Sequence, residues 1–216
     1  MSKKKNQNTI LLFVIVGIVV FSLIFTGFLN SFRFSSKKEI TTSLRENDWF
    51  LGDKTKAKVI VIEYSDFQCP ACRAFFPIIK DLKKKYNDEI LFVYRHFPLI
   101  EIHSNAILAA KAAEAAGNQN KFWQMHDLLF ERQDDWKNDK NPKERFISYA
   151  KELDLDIKKF EEDFNSETTT KKILEQRNES LALGLRGTPS FFVNGKLIEI
   201  KRFEDLEKSI QEELQK

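Results

Sequence analysis

Two cysteines stand two residues apart in Cys69-Pro70-Ala71-Cys72, and they are the only cysteines among 216 residues. The pair falls where one kind of pattern gives way to another. Val59-Ile60-Val61-Ile62 is a short β-branched run ending in Glu63-Tyr64, the signature of a buried strand. Ser65-Asp66-Phe67-Gln68 turns out of it. Ala74, Phe75, Ile78, Ile79 and Leu82 then recur at helical spacing, so Cys69 belongs at a helix N-terminus. Pro77 lies inside that helix and is expected to kink it. Ile90-Leu91-Phe92-Val93-Tyr94 reads as a second strand, stopped by Pro98. Strand, helix and strand in that order make a parallel pair. Whatever the domain is, it must hold two thiols at the junction of a strand and a helix.

The rest of the chain fits around this unit. From about Ser104 to Leu183 the pattern is helical throughout. Asn105–Ala116 is alanine-rich and stops at Gly117, a residue suited to the position after a helix. Phe122, Met125, Leu128 and Leu129 mark a further helix, with Phe122 and Trp123 as core aromatics. Asn141-Pro142-x-Glu144 has the form of an N-cap, a first-turn proline and a capping-box glutamate. Asp156 can cap the next helix, and Thr170–Leu183 makes one more, closed by Gly184. Ser190–Val193 and Lys196–Ile200 flank Asn194-Gly195, a strong hairpin signal. Phe203, Leu206 and Ile210 mark a last amphipathic helix. The order is β-α-β, a helical block, then β-β-α.

The N-terminus has a different character. Ile10–Leu29 has 20 residues and no charge. As a helix it is about 30 Å long, enough to cross a bilayer core. Lys3, Lys4 and Lys5 precede it, and no Ala-x-Ala cleavage site follows, so an uncleaved anchor is expected rather than a signal peptide. The lysines then stay in the cytoplasm and the remainder crosses. The expected organisation is a basic tail at 1–9, an anchor at 10–29, a polar linker at 30–48, and a globular domain at 49–216 with a helical insertion at about 104–183. Removing the three lysines from the 35 basic residues leaves 32 against 32 acidic ones. The exported part is formally neutral, with no net basic footprint for nucleic acid.

Exported domains usually spend cysteines on structural disulfides. Here none is left over, so the single pair is free for chemistry. An attacking cysteine must be a thiolate, and the unpaired N–H groups of a helix start favour that anion. Cys69 is nearer the helix end and is expected to be the exposed nucleophile. Cys72, one turn in, is placed to resolve a mixed disulfide. Pro70 suits the first helical turn, and the identity of Pro70 and Ala71 tunes the pair. A zinc half-site needs two more ligands. No cysteine remains, and His96 and His103 are too widely spaced, so no metal is expected. His96, His103 and His126 read as loop or cap residues rather than catalytic bases.

The segment from Val61 to Pro70, His96-Phe97-Pro98-Leu99, His103-Ser104-Asn105-Ala106, Lys121–His126 and Gly187–Gly195 together resemble the DsbA-like branch of the thioredoxin superfamily. The resemblance spans residues 59–200. It implies an α/β thioredoxin fold with an inserted helical subdomain, behind one transmembrane helix. It implies a cis peptide before Pro189, which lies against the cysteines and holds an extended substrate strand. Thr188 then offers backbone groups to the substrate and tunes the pair. Glu63, six residues before Cys69, matches an acidic proton relay for the resolving cysteine, and burial of such a group raises its pKa. The implied activity is thiol–disulfide exchange, forming disulfides in reduced, unfolded exported proteins. The pair would need no cofactor beyond its own disulfide, with reoxidation by a DsbB-like quinone-linked membrane protein. With no dimerisation segment between anchor and domain, a monomer is expected. A reductase or isomerase on the same fold, a redox-inactive chaperone and a copper-carrying CxxC protein stay open as alternatives.

Overall fold

A computed structural model describes residues 44–216. The basic tail, the anchor at 10–29 and residues 30–43 of the linker lie outside the described residues. Among the described residues no helix is long and apolar enough to cross a membrane.

Five strands form one sheet: β1 (Trp49–Leu51), β2 (Val59–Ser65), β3 (Ile90–His96), β4 (Ser190–Val193) and β5 (Lys196–Leu197), in the order β1-β3-β2-β4-β5. β2 and β3 are parallel, with Val59 opposite Ile90 and Glu63 opposite Tyr94. β1 and β4 pair antiparallel with β3 and β2, and β5 closes the hairpin on β4. The expected β-β hairpin is present, but its second strand is only two residues long.

Side chains on a strand alternate between faces. Val59, Val61 and Phe92 share a face with Phe75, Ile79 and Leu82 of helix α1 (Pro70–Tyr86) and with Leu206 and Ile210 of the C-terminal helix Glu204–Leu214. Ile62, Tyr64, Val93 and Phe192 pack on the other face with Phe97 and Leu185. The period of two therefore sets Glu63 on the α1 face, in line with Val59 and Val61. It is the one carboxylate in that row, between Val61 and Ser65. α1 runs through Pro77, which is exposed.

Between β3 and β4 lie six helices: α2 (Ala106–Gly117), α3 (Phe122–Glu131), α4 (Gln133–Trp136), α5 (Lys143–Glu152), α6 (Ile157–Asn165) and α7 (Glu167–Ala182); the C-terminal helix is α8. Their common core joins the buried alanines of α2 to Trp136, Phe146, Phe160 and Phe164 and continues to Phe67, Cys72 and Phe76. The cysteine segment and the insertion thus share one core.

Local expectations divide. Asp156 caps α6, its carboxylate accepting from the Lys159 N–H at 3.0 Å. Gly184 has φ +78°, the left-handed conformation that closes α7. The box at Asn141 does not form: Pro142 occupies the N-cap of α5, with no side-chain cap, and the Asn141 N–H turns back to Asp139 Oδ1 at 3.0 Å. Gly117 is the last residue of α2 and is not left-handed. Its missing side chain makes room for Trp49, since a Cβ there would lie 2.4 Å from the indole.

The domain also begins before residue 49. Asp48, assigned above to the linker, has a side chain with no exposure and grips Arg95 of β3, which is equally buried, through Nε at 3.0 Å and Nη2 at 2.7 Å. Arg95 also reaches the Tyr64 hydroxyl at 2.9 Å and Glu179 of α7, which in turn pairs with Arg45. A polar stretch reads as linker because its partner arginine lies 47 residues away.

Candidate functional site

The Asp66 carbonyl accepts the Cys69 N–H at 3.0 Å, closing the turn that delivers Cys69 to the N-cap of α1. Its φ of −71° and ψ of 123° are extended, Pro70 follows in the first turn, and no side chain caps the helix. Pro70 and Ala71 are exposed. Cys72 is one turn deeper, with no exposure. Cys69 is not the open nucleophile expected: it is only 7% exposed. The loop before β4 accounts for this, because the Cys69 thiol meets the Thr188 carbonyl at 3.5 Å. The peptide between Thr188 and Pro189 is cis. The structure thus brings Cys69 to Thr188, 119 residues further along the chain, with Cys72 one turn deeper and Pro189 next to Thr188.

The two sulfurs are driven apart electrostatically. The Cys69 pKa falls from 9.0 to about 6, first through the hydrogen bond from Cys72. Burial opposes this; the N–H groups of Cys72 and Ala71 assist it. Those N–H groups are the unpaired donors of the helix start. The Cys72 thiol is pushed well up, chiefly by burial, then by its bond and charge contact with Cys69 and by Glu63. The Asp66 N–H, 3.5 Å from Cys72 Sγ, works the other way. One sulfur is therefore a thiolate at neutral pH and the other a proton holder. Alkylation of the reduced protein by iodoacetamide should rise with a midpoint near pH 6, followed by mass spectrometry at Cys69. A midpoint near 9 would show that the helix start does not stabilise the anion.

Glu63 lies below the pair on β2. It is 1% exposed, its Oε1 has no hydrogen-bonding partner, and burial lifts its pKa to about 8. It is protonated at neutral pH and close enough to feel the charge of Cys69. A neutral carboxylic acid beside a buried sulfur can supply or receive a proton.

Residues not singled out in the sequence hold the loop in place. Gln133 of α4 donates to the Phe67 carbonyl at 2.7 Å and the Cys69 carbonyl at 3.1 Å. Gln68 donates to the Lys137 carbonyl at 2.7 Å and accepts the Asn105 N–H at 2.7 Å. The insertion is thus tied to the cysteine loop by hydrogen bonds as well as by apolar contact. Each histidine is bonded to a carboxylate, and none of these bonds is to a cysteine sulfur. His96 bonds Glu114 at 2.9 Å, His126 bonds Asp127 at 2.9 Å, and His103 bonds Asp66 at 2.7 Å.

Two concavities flank the pair. One, of about 600 Å³, runs from Ala71 and Phe75 to Ile200 and Phe203 with Lys201 and Arg202 at its edge. The other, of about 410 Å³, includes Leu185, Pro189, Ile198 and Ile200. Ile200 is common to both.

Residues 45–212 match the thioredoxin family. The chain belongs to that family. Among solved structures, this thioredoxin domain is similar to oxidised BdbD of Bacillus subtilis, with a TM-score of 0.67 and 25% identity over 77% of this chain and 92% of that one. A thioredoxin-like oxidoreductase of Silicibacter pomeroyi gives the same TM-score and identity over 80% of this chain and 95% of the other. Alpha-DsbA1 of Wolbachia pipientis shares the fold, with a TM-score of 0.66 at 24% identity, covering 79% of this chain and 92% of that one. The fold is thus that of the DsbA-type oxidoreductases. Curated relatives include the Na(+)/H(+) antiporter NhaA 3 of Salinispora tropica, 39% identical over 65% of this chain and 21% of the antiporter. Another is the antiporter NhaA 1 of Mycolicibacterium gilvum, 35% identical over 70% of this chain and 24% of the antiporter. The chain therefore spans about a fifth to a quarter of the length of the curated relatives it matches.

Proposed function

We propose that this protein is a thiol–disulfide oxidoreductase that donates the Cys69–Cys72 disulfide to reduced, unfolded proteins outside the cytoplasm. The observation that carries the reading is the asymmetry of the two sulfurs, with Cys69 lowered to about 6 and Cys72 pushed up beside a protonated Glu63. A substrate thiolate attacks Cys69 Sγ, the Cys69–Cys72 bond breaks, and Cys72 leaves as a thiolate that takes the Glu63 proton. A second substrate thiolate then attacks the substrate sulfur of the mixed disulfide and expels Cys69 as a stabilised thiolate. The substrate has lost two electrons to the protein, and its two thiol protons pass to Glu63 and solvent. A low pKa of the leaving thiol favours the last step.

The Thr188–Pro189 segment and the two flanking concavities are the surface for an extended client chain, with Phe75, Ile200 and Phe203 receiving apolar side chains. Residues 10–29 tether the domain to the membrane on its outer face, as a monomer, in the plane of a quinone-linked membrane protein that restores the disulfide. No metal or further cofactor takes part. The direction of exchange is tested by equilibrating the pair with glutathione: an oxidase holds its thiols more tightly than its disulfide.

A further inference from the structure

The Asp66 carboxylate is completely enclosed, yet among the described residues it is not paired with Lys or Arg. Its Oδ1 accepts the Gln68 N–H at 2.8 Å, and its Oδ2 accepts both the Leu99 N–H at 2.8 Å and His103 Nδ1 at 2.7 Å. A carboxylate only accepts, so Nδ1 is the nitrogen of His103 that carries the facing proton. The backbone of the same residue touches both cysteines. Its N–H points at Cys72 Sγ and its carbonyl holds the Cys69 N–H. The grip comes from the turn after β3, where the N–H groups of Ile102 and His103 both fold back on the Leu99 carbonyl at 3.0 and 2.9 Å. Two residues on, Asn105 holds Gln68. His103 keeps 15% of its side chain exposed, so it sits between solvent and the buried carboxylate.

We propose that His103 is a positioning residue for the redox pair, acting through Asp66 to fix the loop that orients both sulfurs. This rests on the Cys69–Cys72 pair being the site of exchange. Two effects of losing His103 have the same sign. The loop loses a charge-assisted bond, so the helix-start donors are less well aimed at Cys69. The Asp66 negative charge also loses a proton donor beside a site that develops a thiolate. Both make the reduced, thiolate-bearing form harder to reach. A purely structural histidine would change stability and leave the pair alone.

The test is the equilibrium of the pair with glutathione in the wild type, His103→Ala and His103→Asn, alongside denaturant unfolding. The amide nitrogen of Asn stands close to the place of Nδ1 and restores the donor. H103A should shift the equilibrium about tenfold toward the disulfide, which for two electrons is about 30 mV. Its alkylation at Cys69 should slow at pH 7, while H103N stays near wild type on both. Should H103A not fold, His103→Leu keeps the bulk without the donor and is read in the same way. An equilibrium within twofold of wild type in a folded donorless variant overturns the proposal. A wild-type protein that never exchanges with glutathione overturns the redox reading itself, a separate outcome.

Discussion

Glu63→Gln is expected to stabilise the oxidised protein by about 3 kcal/mol at pH 7 and to flatten its dependence on pH. The folded-state pKa of about 8 stands above the value of 4.5 for an exposed glutamate. Below 4.5 both folded and unfolded chains hold the proton, and stability is greatest. Between 4.5 and 8 the unfolded chain releases it and the folded chain keeps it, so stability falls as pH rises, and above 8 the loss is complete. Glutamine fills the same space with no proton to hold. Unfolding by denaturant from pH 4 to 9 measures this. The oxidised form is the one to use, because in the reduced form the lowered Cys69 pKa gives an opposing slope between about 6 and 9. The main cause of the Glu63 shift is burial, which does not depend on the Cys69 thiolate. A Gln variant that keeps the wild-type slope would remove Glu63 from the account. On the proposed role of Glu63 as proton relay, the same substitution should also slow exchange at neutral pH.

Asp48→Ala should act in the opposite sense, lowering stability by about 3 kcal/mol. Asp48 makes two bonds to Arg95, and neither side chain is exposed. Its loss leaves the guanidinium with Tyr64 and Glu179 among its remaining contacts and one carboxylate fewer. The surface pair of Lys58 and Glu89, each at least half exposed, provides the contrast. Glu89→Gln should cost less than about 1 kcal/mol. Equal, small effects at both sites would show that residues 45–48 are not part of the folded unit.

Much of the site was legible because it is local. A β-branched run, a turn and a helical stripe place Cys69 and Cys72 at a helix start, whereas Glu63 stands out only through the family resemblance, the run before it being apolar without alternation. Asn194-Gly195 marks its hairpin. Long-range features were not legible. Gln133 braces residues 64 and 66 positions away, and Asp66 is held by a histidine 37 positions on; nothing in either neighbourhood signals it. The approach of Thr188 to Cys69, 119 residues apart, was expected from the family resemblance alone and not from spacing or periodicity. β1 is three residues long, too short for periodicity to mark it. Asn141 misled because a capping sequence competes with other acceptors, and here Asp139 took its N–H.

The central claim is that the sulfur asymmetry makes this pair an electron acceptor from client thiols. Its most direct test is the equilibrium constant of Cys69–Cys72 against a graded glutathione buffer, read by the fraction of protein carrying free thiols. A Cys69 pKa near 6, against about 7 for the attacking cysteine of thioredoxin, stabilises the reduced form and predicts a potential above that of thioredoxin by about 30 mV. A potential at or below about −270 mV, the thioredoxin value, would contradict the account and make the protein a donor of electrons instead.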